Sequence, residues 1–135
     1  MLAELRQQYN QAIWWPQVEW CGWVNNPQSF LSTVDILLVP SNDFDPLPTV
    51  LLEAGQMGVP AVAAKVGGVA EILGDGRTGW LFESGNWTQA ARILAGLMAD
   101  LPAVNLAGKE ARRRVTEEFG LPKMVAQYRE LYSIM

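Results

Sequence analysis

The side chains and turns most suited to chemistry in this sequence are concentrated between residues 43 and 71. Asp43 and Asp45 stand with one residue between them, and Glu53 and the pair Gly67-Gly68 follow. Two nearby carboxylates suit magnesium or manganese held together with a diphosphate. Asp45 followed by Pro46 also has the form of a helix N-cap with proline at the first helical position. Pro46 and Pro48 lack amide hydrogens, which leaves Leu47, Thr49 and Val50 to supply the N–H groups of the helix start. Such amides, with the helix dipole, suit a sugar or diphosphate oxygen. Gly67-Gly68 permits either a close backbone approach to a ligand or a plain strand-to-helix turn. Glu71 either orients that turn or occupies the first turn of a helix, where acids are favoured.

What is missing narrows the chemistry. The 135-residue chain has no histidine, so His-based triads, His-ligated zinc and the commonest general base are excluded. A net charge of −4 and a pI near 4.7 argue against nucleic acid as a partner, because that needs a basic footprint. Arg112-Arg113-Arg114 stands among Glu110, Glu117 and Glu118 and reads as a solvated helix face. The single cysteine, Cys21, excludes an internal disulfide and suits a reducing compartment, which gives a cytoplasmic expectation. No apolar run approaches the length of a membrane span, and the amphipathic opening has no signal-peptide core. Trp14, Trp15, Trp20 and Trp23 are able to stack on a sugar or base, although core packing or an interface is the plainer reading.

The elements that must position these groups follow from periodicity. Residues 2–12 and 27–33 read as helices and 18–21 as a short strand. Residues 35–39 form an apolar strand suited to a buried parallel position. The helix predicted over 47–57 carries Val50, Leu51 and Ala54 on one face and stops at Gly58, before Pro60. Strands follow at 61–64 and 79–82, then helices at 88–99, 105–119 and 122–134, with Leu101-Pro102 and Gly120-Leu121-Pro122 as punctuation. Strands alternating with helices, then a helical tail, predict an α/β fold with a parallel sheet. The loop after 35–39 then lies at the carboxyl edge, where open α/β sheets bind ligands.

A particular order of motifs runs through this framework. Pro40-Ser41 is followed by Asp45, Glu53-Ala54, Gly58-Val59-Pro60, an apolar strand and Gly67-Gly68-Val69-Ala70-Glu71. Asp75-Gly76-Arg77-Thr78-Gly79-Trp80-Leu81-Phe82 comes next, and Val18-Glu19-Trp20-Cys21-Gly22-Trp23 lies upstream. This series closely resembles the C-terminal, nucleotide-sugar-binding half of GT-B-fold glycosyltransferases of the retaining group 1 family. The resemblance covers about residues 18–82 and implies a Rossmann-like parallel sheet with flanking helices, the helical tail occupying 86–135. It makes residues 1–135 a single, partial C-terminal domain, inactive alone. Two opening strands and a helix of the family domain have no counterpart here. In the doubly wound order 3-2-1-4-5-6 those strands lie between the third and fourth. The expectation is therefore a partner to cover the sheet edges, either an N-terminal domain or a second copy.

The resemblance also implies roles. Glu53 accepts hydrogen bonds from the two ribose hydroxyls of a nucleoside-diphosphate sugar, and its two acceptor oxygens match a vicinal diol. Asp45 and the 47–50 amides meet the sugar and phosphates, and Gly67-Gly68 lines the pocket. The family usually has glutamate where Asp45 stands, so the carboxylate here is drawn back by one methylene. No residue is assigned as catalytic, and no metal or further cofactor is expected. The implied reaction moves a sugar from the donor to an acceptor hydroxyl, in the cytoplasm or at the membrane periphery. Alternatives are a non-catalytic sugar-nucleotide-binding or assembly module and a GT-A-like, metal-dependent transferase using Asp43-x-Asp45. A nucleotide-sugar epimerase is disfavoured by the lack of an obvious base.

Overall fold

Strand β2 (Ala61–Ala64) runs through the middle of the sheet, and small side chains allow it to be buried on both faces. In the computed structural model, which describes residues 2–42, 45–74 and 76–134, it pairs in parallel with β1 (Leu37–Val39) and β3 (Gly79–Phe82). Period-two alternation sends Ala61 and Ala63 to one core with Leu51, Val69 and Ile72. Val62 and Ala64 face the other, with Phe82, Ala90, Leu97 and Val104. Helices α3 (Thr49–Met57) and α4 (Val69–Ile72) supply the first core, and α5 (Trp87–Met98) supplies the second with α6 (Leu101–Glu118). This is the α/β, Rossmann-like arrangement expected from the sequence, with α1 (Leu2–Tyr9), α2 (Pro27–Leu31) and α7 (Leu121–Ile134) outside the sheet.

Several boundaries differ from expectation, each for a local reason. Residues 18–21 join no ladder among the described residues and are exposed. A strand needs a neighbour, and no described strand lies on the outer side of β1 to pair with this segment. For the same reason β1 is an edge strand: Leu38 is 42% exposed, although 35–39 reads as a buried strand. Helix α1 stops at Tyr9, and Pro16 lies in a 310 turn over Trp15–Gln17. Helix α6 starts at Leu101, four residues before its expected start, because Asp100 caps it by accepting from Ala103 N at 3.1 Å. Pro102 then sits harmlessly in the first turn.

Helices α3 and α6 approach closely because three glycines lie on their seam. Gly58 ends α3 in the left-handed conformation, φ 76°, as expected of a C-terminal glycine. A Cβ at Gly108 would stand 2.1 Å from Gly58 O, and one at Gly55 would stand 2.6 Å from a Val115 methyl. Gly108→Ala should therefore force the helices apart and cost about 1–3 kcal/mol. Gly96→Ala, on α5 with open space around it, should gain about 0.5–1 kcal/mol. Urea unfolding of both variants checks this seam; equal stabilities would mean that the helices do not meet there.

Candidate functional site

Parallel strands place the loops after β1 and β2 side by side at the carboxyl edge of the sheet. Asp45 ties them together. Its Oδ1 accepts from Leu47 N at 3.1 Å, an Asx-type turn, while its carbonyl accepts from Gly68 N at 3.1 Å. Asp45 therefore does not cap α3 directly. The helix begins one turn later, with Pro48 at the N-cap and Thr49 as its first residue. The Leu47 amide, read from sequence as part of the helix start, is already engaged. Those of Thr49 and Val50 remain as first-turn donors without intrahelical partners. Asp43, the other half of the Asp43-x-Asp45 pair, lies outside the described residues, as does Asp75 of the turn before β3.

Gly67 and Gly68 meet this loop in direct backbone contact. Gly67 is left-handed at φ 49°, and a Cβ on it would fall 1.9 Å from Asp45 O. At Gly68 a Cβ would fall 2.1 Å from Pro46 O. Of the two expectations for this pair, a close approach to a ligand or a plain strand-to-helix turn, the structure shows the turn, with its backbone packed on the neighbouring loop. Lys65, immediately after β2, is exposed and makes no side-chain hydrogen bond or ion pair among the described residues. Sequence reasoning passed over this cation because it stands alone between apolar segments. Glu71 lies in the short helix α4 with its side chain exposed.

Glu53, one turn along α3, is half-buried on the wall of a cleft of about 320 Å3 shared with Asn25, Asn26, Pro27 and Gln28. That volume is within the range of small-ligand sites. Its carboxylate has no intramolecular partner among the described residues. Opposite it, Asn26 Oδ1 caps α2 by accepting from Ser29 N at 3.0 Å, and Asn25 Oδ1 accepts from Trp23 Nε1 at 3.0 Å. With both oxygens engaged, the side-chain NH2 groups of Asn25 and Asn26 remain as donors. Residues 25–28 were not singled out from the sequence, where Asn-Asn-Pro reads only as a turn and helix start. A larger cleft, about 690 Å3, lies beside Trp80, Ile93 and Leu97 near the amino end of β3, apart from these loops.

Comparison with known proteins places this geometry. The family profile described as glycosyl transferases group 1 matches residues 1–114. The chain belongs to the group 1 glycosyl transferases. The N-acetyl-alpha-D-glucosaminyl L-malate synthase of Bacillus anthracis is 34% identical over 116 residues, covering 86% of this chain and 30% of that protein. An alpha-maltose-1-phosphate synthase of Mycolicibacterium smegmatis is 34% identical over 111 residues, or 78% of this chain and 28% of that enzyme. Among solved structures, Anabaena Alr3699/HepE in complex with UDP superposes with a TM-score of 0.91 at 25% identity, over 99% of this chain and 37% of that one. This group 1 chain thus spans about a third of the length of these three proteins. The C-terminal domain of the Francisella tularensis group 1 protein LpcC shares the fold, with a TM-score of 0.78 at 24% identity over 89% of this chain and 63% of that one.

Within this group 1 fold the Asp45 and Gly68 contact can be tested by steric insertion. Gly68 has an ordinary φ of −81°, so alanine there introduces no backbone strain, only the overlap with Pro46 O. Gly68→Ala should destabilise the chain by about 1–3 kcal/mol and shift the backbone NMR signals of Asp45 and Leu47. Unshifted signals would mean that the two loops do not touch.

Proposed function

We propose that the chain is the donor-binding part of a glycosyltransferase that moves a sugar from a nucleoside-diphosphate sugar to an acceptor hydroxyl. The observation that carries this reading is the half-buried Glu53 carboxylate, without a partner among the described residues, beside a cleft at the carboxyl edge of a group 1 fold. Glu53 holds the two ribose hydroxyls, as its pair of acceptor oxygens allows. The Thr49 and Val50 amides at the start of α3 meet diphosphate or sugar oxygens, where the helix dipole favours negative charge. Asp45 and Leu47 shape that loop, Gly67 and Gly68 seat it, and the NH2 groups of Asn25 and Asn26 face the nucleoside. Lys65 adds positive charge at the same edge. HepE, solved with UDP and with UDP-glucose, makes UDP-glucose the natural first ligand to try.

For the reaction, these groups hold the donor and offset charge on the departing diphosphate. No residue of this chain is assigned as a catalytic acid, base or nucleophile. The acceptor site and further phosphate contacts belong to another part of a larger assembly. The exposed apolar stripe of α7 (Leu121, Met124, Tyr128 and Leu131) supports such a partner, either an N-terminal domain or a second copy. A cytoplasmic setting accords with the free Cys21, and among the described residues no single helix is long and apolar enough to cross a membrane.

Calorimetric titration with UDP-glucose tests the assignment. Glu53→Ala should weaken binding by about 1–3 kcal/mol, because the diol loses a charged acceptor, with the fold unchanged by circular dichroism. Unchanged affinity would remove the ribose role. We also propose that binding needs no divalent metal or other cofactor, since the Thr49 and Val50 amides at the start of α3 offer donors to a diphosphate without one. Titrations in EDTA and in manganese should agree; binding only with manganese would favour the Asp43-x-Asp45 metal reading.

A further inference from the structure

Arg114 departs from the solvated face on which its neighbours lie. Arg113 behaves as expected of that face, pairing with Glu110 at 2.9 Å and Glu117 at 2.8 Å. Arg114 turns inward: its Nε donates to Ile72 O at 3.0 Å and its Nη2 to Glu71 O at 2.9 Å. Only Nη1 reaches back along the helix, to Glu118 at 3.2 Å. Glu71 and Ile72 are the last two residues of α4, which is four residues long. So short a helix does not persist on its own hydrogen bonds, and its last carbonyls lack intrahelical donors. A planar guanidinium holds two such carbonyls at once, which an ammonium does not do in the same geometry.

The opposite end of α4 is Gly68, whose amide donates to Asp45 O at 3.1 Å and whose Cα lies against Pro46 O. Helix α4 is therefore a strut between Arg114 on α6 and the Asp45 loop. Helix α6 also backs α3, which carries Glu53, through Gly108 and Val115. We infer that Arg114 is a positioning residue: by clamping the end of α4 to α6 it holds Gly67-Gly68 against Asp45-Pro46, and so fixes the donor-facing edge relative to Glu53. The effect on ligand rests on the donor-binding reading above, whereas the effect on the loop does not.

Native-state hydrogen exchange of the full chain, followed by NMR, separates positioning from general stability. Arg114→Met keeps the apolar stem and removes both carbonyl contacts. It should speed exchange of the Gly68 amide about tenfold, with Val62 and Ala63 in β2 unchanged. Arg114→Lys, which restores one contact, should fall between, and Glu118→Gln, which spares both carbonyls, should match the parent. Uniform acceleration at Gly68, Val62 and Ala63 would show a merely structural role and overturn the inference, as would unchanged exchange at Gly68. Should Arg114→Met fail to fold, the same two readings on Arg114→Lys decide. Calorimetry supplies the functional arm: the Kd for UDP-glucose should rise about tenfold in Arg114→Met and recover partly in Arg114→Lys. A faster Gly68 with unchanged Kd would overturn the link to the ligand. A parent chain that takes up no UDP-glucose would defeat the donor reading, and Gly68 exchange would still decide the role of Arg114.

Discussion

The carboxyl edge of this sheet depends on two loops whose backbones touch at positions 45–46 and 67–68. Side chains larger than hydrogen are excluded from both glycines, because a Cβ there would fall 1.9 and 2.1 Å from the facing carbonyl oxygens. Because these segments follow adjacent parallel strands, the contact fixes the Asp45 loop against the strand order. That loop in turn sets where α3 begins, and hence where the Thr49 and Val50 amides and Glu53 stand. Asp45 serves the arrangement through its own carbonyl and carboxylate, so its conformation is fixed by local hydrogen bonds before any ligand arrives. A pre-set loop of this kind lowers the ordering cost of binding.

Much of this was legible in the sequence because local signals agreed with one another. The alternation of apolar runs with helical periodicity gave the strands at 61–64 and 79–82, and Gly58 marked the end of α3. The ordered motifs over 18–82 gave the family, which the profile match extends to residues 1–114. What escaped was whatever depends on a neighbour far along the chain. Residues 18–21 have strand-like composition, but the pairing that would make them a strand lies outside local pattern. Asp45-Pro46 has the form of an N-cap, yet a second proline at 48 postpones the helix, and the side chain turns to Leu47 instead. Arg114 was indistinguishable from Arg113 by charge pattern; only the packing of α6 on α4 separates them. Asn25 and Asn26 became visible only when α2 was seen beside Glu53.

The electrostatic logic of the proposed site is one of dipoles in place of a dense charge cluster. Helix-start amides, side-chain amides and a single lysine surround the edge, and the chain as a whole is acidic, at −4. In the proposed reading, oriented donors and one carboxylate matched to a diol recognise a diphosphate sugar. Oriented donors fixed by the fold need no reorganisation as charge develops on a leaving group. The larger cleft near the amino end of β3 offers more volume, but it lies away from the carboxyl-edge loops.

Mapping UDP-glucose onto the backbone NMR spectrum of this chain would test the central claim most directly. The account predicts saturable shifts at Asn25, Asn26, Thr49, Val50, Glu53 and Gly67, with Trp80, Arg92 and Leu97 unmoved. Shifts confined to Trp80, Arg92 and Leu97, or none at millimolar ligand, would contradict it.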